Sequence, residues 1–141
     1  MAFLTVGDEP VAYRRLYLMR IEMPSGMVVH KFGVASGNSS KERMLQICSS
    51  IFDKFRCTPK IKLLRDRKVE ADKVFKYENI LHTYFQDHRY DSPHKFSGVT
   101  ECFVLPDDSE DAIMAYEAVI DGQVPDHTYE LRKPEGIDLP F

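Results

Sequence analysis

RLYLMRIEMPSGMVVHKFGVASGNSSKER, residues 15–43, carries the pattern that decides the fold. Two apolar, β-rich runs flank Pro24-Ser25-Gly26, and such runs joined by a Pro/Gly turn read as a β-hairpin. Leu16, Leu18, Ile21 and Met23 surround Tyr17 on the first run; Val28, Val29, Phe32, Val34 and Ala35 accompany His30 and Lys31 on the second. A hairpin brings Tyr17 and Lys31 close together in space if they share a face. Beyond Gly33, a Ser/Asn/Gly loop leads into a helix, where Ser39 followed three residues later by Glu42 matches a capping box. Arg43 then falls in the first or second turn. A cation near a positive helix N-terminus costs ~0.3–1 kcal/mol, so its position there favours a bound anion over the alternative of a solvated arginine. Hairpin and arginine together outline a phosphate site.

Outward from this stretch, the chain reads as one ordinary domain. Its 141 residues are 43% hydrophobic, enough for a core, and no apolar run approaches the ~20 residues needed to span a bilayer. The first residues lack a basic n-region and soon turn acidic, so no signal peptide is expected. Cys48, Cys57 and Cys102 are odd in number and lack Cys-x-x-Cys spacing, which makes a reduced, cytoplasmic protein the expectation. Net charge is −3, but it is unevenly spread: residues 41–76 hold 11 Lys/Arg against 5 Asp/Glu, residues 101–141 hold 2 against 11. A basic middle and an acidic end give one face that attracts phosphates and another that repels them, or two solvated faces.

A third strand is expected around Ile61, Leu63 and Leu64, with Lys60 and Lys62 on one of its faces. These two and Arg65 are candidate phosphate-backbone contacts, or charges that guard a sheet edge. A second helix spans roughly residues 70–88, with Ala71, Val74, Phe75, Leu81 and Phe85 as its apolar stripe. Glu78 falls inside that stripe and His82 one turn later. A carboxylate there is costly unless it is paired or bound to a cation. His82, His88 and His94 with Cys102 form a conceivable zinc set whose spacing matches no zinc motif. A short helix is expected up to about Ile120, completing a domain over residues 1–120. Gly122, Pro125, Pro134, Gly136 and Pro140 break residues 121–141 into an extended acidic tail.

Leu16-Tyr17-Leu18, Lys31-Phe32-Gly33-Val34 and Arg43 together resemble the GIY-YIG nuclease superfamily. Tyr17 stands in the place of the first motif's tyrosine and Phe32-Gly33 in that of the second motif's Ile-Gly. Lys31 stands where the second tyrosine is usual, as in restriction-enzyme relatives, and Arg15 replaces the first motif's glycine. Tyr77-Glu78-Asn79-Ile80-Leu81-His82 resembles the Glu-x-x-Leu-His of a phage-associated branch, and Thr100-Glu101-Cys102-Phe103 resembles its closing strand. The resemblance covers residues 15–103.

It implies an α+β fold: a small three-stranded antiparallel sheet flanked by helices, with an additional C-terminal strand, helix and extended tail. It further implies a metal-dependent endonuclease that hydrolyses DNA, with Tyr17, Lys31, Arg43 and Glu78 as catalytic residues. Glu78 would hold Mg²⁺ or Mn²⁺; His30, His82 and Glu101 are accessory candidates. Lys31 or Tyr17 would serve as base only with a lowered pKa. The lack of an obvious second DNA-binding domain implies modest specificity, a homodimer or a recruiting protein partner. The alternative keeps the fold without the chemistry: an inactive nucleic-acid-binding or inhibitory protein-interaction module.

Overall fold

The structure, a computed structural model, describes residues 12–36, 39–92, 95–96, 99–105 and 109–130. β1 (Tyr13–Glu22) and β2 (Val28–Ala35) form the expected hairpin. Its turn closes with Gly26 N–H donating to the Met23 carbonyl at 2.8 Å and Met23 N–H donating to the Met27 carbonyl at 2.7 Å. Gly26 lies at φ +95°, a left-handed value that glycine adopts without steric cost. There follow α1 (Lys41–Phe55), β3 (Lys60–Glu70), α2 (Ala71–Tyr84), β4 (Cys102–Phe103) and α3 (Glu110–Ile120).

All strand pairs are antiparallel, in the order β3-β1-β2-β4. The fold is α+β, with four strands and three α-helices among the described residues. The C-terminal strand is present but only two residues long, and it widens the expected three-stranded sheet by pairing with His30 and Lys31. α2 stops at Tyr84, and a 3-10 turn over Gln86–His88 completes the stretch read as one helix. Among the described residues no helix is long and apolar enough to cross a membrane.

Alternation along β1 and β2 divides the core in two. Leu16, Leu18 and Phe32 face Val74, Leu81 and Phe85 of α2 and Tyr116 of α3. Tyr17, Met19, Ile21 and Val29 face the other way, toward Ile47 and Ile51 of α1. A central strand covered on both faces reads as a continuous apolar run, which is why residues 16–19 are all buried. Tyr116 fastens α3 by donating its hydroxyl to the Leu16 carbonyl at 2.6 Å. Burial raises that phenol well above its ordinary pKa, so it stays a donor.

β3 carries a bulge. Met19 pairs with Leu63 and Leu18 with Arg65, which leaves Leu64 as the extra residue. The bulge lets both leucines pack, Leu63 on the α1 side and Leu64 on the α2 side. After α3 the chain returns over α2, where Tyr129 is buried and donates its N–H to the Tyr84 carbonyl at 2.7 Å. Residues 131–141 of the expected tail lie outside the described residues.

Candidate active site

Tyr17 stands opposite Gly33 in the β1–β2 ladder, and Lys31 opposite Met19. Directly opposite residues share a face, so Tyr17 and Lys31 are diagonal neighbours on the α1 side. The Lys31 ammonium donates to Tyr17 Oη at 2.6 Å and to Glu101 Oε1 at 2.5 Å, and it lies 4.8 Å from the Tyr17 ring centroid. Gly33 makes this crossing possible. A Cβ at that position would strike the Tyr17 hydroxyl and lie 2.7 Å from Lys31 Nζ.

Burial pushes the Lys31 ammonium toward losing its proton, but Tyr17 and Glu101 outweigh burial and the net shift is upward from 10.5. Lys31 is therefore a fixed cation at neutral pH. A base role for Lys31 requires the opposite shift, which a bound metal and further cations would have to bring.

α2 brings Glu78 and His82 to the same place. One ligand-type atom from each of Glu78, His82 and Glu101 lies within 4.8 Å of the other two. His82 Nε2 donates to the Phe32 carbonyl at 3.0 Å and lies 4.0 Å from Glu78 Oε2. That bond fixes the imidazole's tautomer. Burial raises the Glu78 carboxyl above 4.5; nearby Glu101 raises it too, while His82 and Lys31 pull the other way. Two carboxylates in a partly buried space repel each other, and a cation between them relieves that repulsion. Their oxygens suit a hard divalent ion, so the donor set fits the ion the resemblance implies.

The remaining sequence candidates contact groups outside this cluster. Arg43 sits in the first turn of α1 and donates to Gln46 Oε1 at 3.2 Å. His30, adjacent in sequence to Lys31, points to the opposite sheet face and is buried against Ser109, Nε2 to Oγ 2.6 Å. Two-residue alternation puts it there, which removes it as the group that orients water at Tyr17. Lys60 and Lys62 do share a face, but they pair with Glu22 and Arg20 on the side opposite Tyr17 and Lys31. Arg65, opposite Leu18 beyond the bulge, donates to Glu117 of α3 at 2.7 Å. The zinc set does not assemble among the described residues: His88 Nε2 faces the Tyr129 carbonyl at 3.3 Å, and burial pushes the Cys102 thiol up to about 12. His94 lies outside the described residues.

Sequence reasoning missed Asp66. Its carboxylate accepts the Ser40 N–H at 3.0 Å, the Ser40 hydroxyl at 2.7 Å and Arg15 Nε at 2.9 Å. The expected capping box is thereby corrected. Ser40, not Ser39, occupies the N-cap of α1, and an acid from β3 receives the donors that an N3 glutamate would share. One signal was available: Asp66 is the only acid in the basic run 60–68.

These features define an α+β domain in which a buried Tyr–Lys–Glu hydrogen-bond chain adjoins a candidate cation site of two carboxylates and an imidazole. Set against known protein families, curated proteins and solved structures, the chain matches none of them.

Proposed function

We propose that the chain is a metal-dependent endonuclease that hydrolyses DNA phosphodiesters through a GIY-YIG-type site. One observation carries the reading: Tyr17, Lys31 and Glu101 form a continuous hydrogen-bond chain over Gly33, beside Glu78 and His82. Hydrolysis adds a water oxygen to phosphorus, breaks one P–O ester bond and delivers a proton to the departing sugar oxygen. Glu78 would hold a divalent cation, Mg²⁺ or Mn²⁺, which would supply charge neutralisation at the scissile phosphate.

The protein's own groups divide the remaining work. Lys31, held in its charged form, fixes the Tyr17 oxygen and adds positive charge. Tyr17 then offers its oxygen to orient the attacking water, whose proton passes to solvent or to a neighbouring phosphate oxygen. Arg43, at the start of α1, is shaped to hold a phosphoryl oxygen as charge builds on it. His82, fixed by the Phe32 carbonyl, steadies Glu78.

A second reading, nucleic-acid or protein binding without cleavage, is favoured by the Lys31–Glu101 ion pair, which engages the lysine standing in the second tyrosine's place. Incubation of supercoiled plasmid with Mg²⁺ or Mn²⁺, comparing wild type with Glu78→Ala and Arg43→Ala, separates the two. The nuclease reading expects metal-dependent nicking or linearisation that both variants lose. DNA binding without cleavage in all three proteins favours the second reading, and cleavage that survives in Glu78→Ala removes Glu78 as the ligand.

A further inference from the structure

Away from Tyr17 and Lys31, the outer surface of α2 and α3 carries a second concavity. Residues 123–130 cross over these helices and leave a cleft of about 520 Å³ against Tyr84, Asp111 and Met114. A second recess of about 340 Å³ adjoins it, and both are bounded by Tyr84, Val124, Pro125 and His127. The shared residues place the two recesses side by side, as the two halves of a divided trough. Each is in the size range of a ligand pocket, and together they suit an extended chain better than one compact molecule.

The chemistry of the lining is specific. Tyr84 meets Tyr129 edge-on at 5.9 Å between centroids and His127 at 6.2 Å, so three rings converge on the cleft. Asp111 accepts the Tyr129 hydroxyl at 2.5 Å, which holds its carboxylate beside those rings. Glu130 stands exposed at the rim, and Met114 and Val124 present more than half of their surface to solvent. Residues 109–130 contain six Asp/Glu and no Lys or Arg. Such a surface repels a polyanion. Aromatic faces bordered by carboxylates are instead the combination that recognises a guanidinium, through stacking and paired hydrogen bonds.

We propose that this trough docks a basic peptide segment of a partner protein. An arginine lies over the accessible sides of Tyr84 and His127, facing Asp111 and Glu130, and a neighbouring apolar side chain seats on Val124 and Pro125. The proposal does not rest on the nuclease reading, because none of these residues belongs to the candidate active site.

Titration of the full ¹⁵N-labelled chain with a synthetic hexapeptide, acetyl-Ala-Arg-Ala-Leu-Arg-Ala-amide, tests it by amide shift mapping. The expected result is saturable binding with Kd of roughly 0.1–1 mM, with shifts at Tyr84, Asp111, His127 and Tyr129. Glu130→Gln and Asp111→Asn should each weaken it about three- to tenfold, and 0.5 M NaCl should weaken it further. The same peptide with both arginines replaced by glutamine should fail to saturate. Glu130 is exposed, so Glu130→Gln carries the test even if Asp111→Asn does not fold. Equal affinity for the glutamine peptide, or shifts that map elsewhere, overturns the proposal. Acetyl-arginine methylamide binding as tightly as the hexapeptide overturns the peptide assignment in favour of a small-cation site. A DNA duplex shifting the same amides overturns it in favour of nucleic acid.

Discussion

Lys31 Nζ reaches Tyr17 Oη at 2.6 Å directly over Gly33, so that two strands meet through side chains where one of them has none. The arrangement couples Tyr17, Lys31 and Gly33 on one hairpin with Glu101, 70 residues beyond Lys31.

Replacing Lys31 with methionine keeps the stem and removes the charge that Tyr17 and Glu101 share. Since Glu101 is partly exposed, the cost should be about 2 kcal/mol rather than the larger value of a fully buried pair. For a chain of this size that lowers Tm by about 4–8 °C. The folded-state pKa of Lys31 is raised, so its contribution is fully present below the unfolded value of 10.5 and is lost as pH rises through the folded value. Thermal melts of wild type should therefore weaken above about pH 10.5 more steeply than those of Lys31→Met. Parallel curves would mean that the ion pair contributes nothing.

Gly33→Ala asks whether the crossing tolerates a methyl group. With Tyr17 Oη and Lys31 Nζ in its path, the new Cβ forces both side chains aside, an overpacking that should cost roughly 1–3 kcal/mol. Cleavage of plasmid DNA should fall with stability, and Tyr17 ring resonances should shift. An alanine variant with wild-type melting and activity would show that the crossing has room to spare.

Glu78 is expected to destabilise the protein when no cation is present. Its folded pKa is raised, so above the unfolded value of 4.5 the charged carboxylate favours unfolding, and the penalty persists at neutral pH. Glu78→Gln should raise the Tm of metal-free protein by about 2 °C, corresponding to roughly 0.5–1 kcal/mol. Millimolar Mn²⁺ should stabilise wild type and leave Glu78→Gln unchanged, which differential scanning fluorimetry reads directly. If Mn²⁺ stabilised both equally, the ion would be binding elsewhere.

Asp66 governs the acid side. Burial tends to raise its carboxyl, yet the Ser40 and Arg15 hydrogen bonds more than offset this and hold it below 3.8. A lowered folded pKa gives stability that is present above about pH 4 and is lost as pH falls through the folded value. Asp66→Ala should cost about 2 kcal/mol at neutral pH, by stranding the Ser40 N–H and removing the acceptor of Arg15 Nε, which leaves Arg15 its Nη2 bond to the main-chain carbonyl at 66. Its acid-induced unfolding should also be shallower than that of wild type. Hydrogen exchange at the first turn of α1 would show whether the loss is local, as a missing helix cap requires.

The hairpin and the helices were legible because apolar spacing and a Pro/Gly turn report local structure, whereas the shared face of Tyr17 and Lys31 followed only from the β1–β2 register. Glu78 was legible as a carboxylate in an apolar stripe. What escaped the sequence depends on contacts that no local pattern carries. The Leu64 bulge decides where the basic residues of β3 pair: Lys60 and Lys62 lie away from Tyr17, and Arg65 goes to Glu117. Ser40 finds Asp66 across 26 residues, so the helix start could be predicted only to within a residue or so. Glu101 was visible as an acid, but its role follows from a two-residue strand joining the β2 edge at Lys31.

His30 and Lys31 are adjacent, buried and committed to opposite sides of the sheet, one to Ser109 and the other to Tyr17 and Glu101. Sliding β2 by one residue would exchange these two side chains. An imidazole would face the acid at Glu101, and an ammonium would be forced against the serine at the start of α3. The pair therefore ties the register of the hairpin to both faces of the sheet at once: the alignment that seats His30 on Ser109 is the one that seats Lys31 on Tyr17 and Glu101.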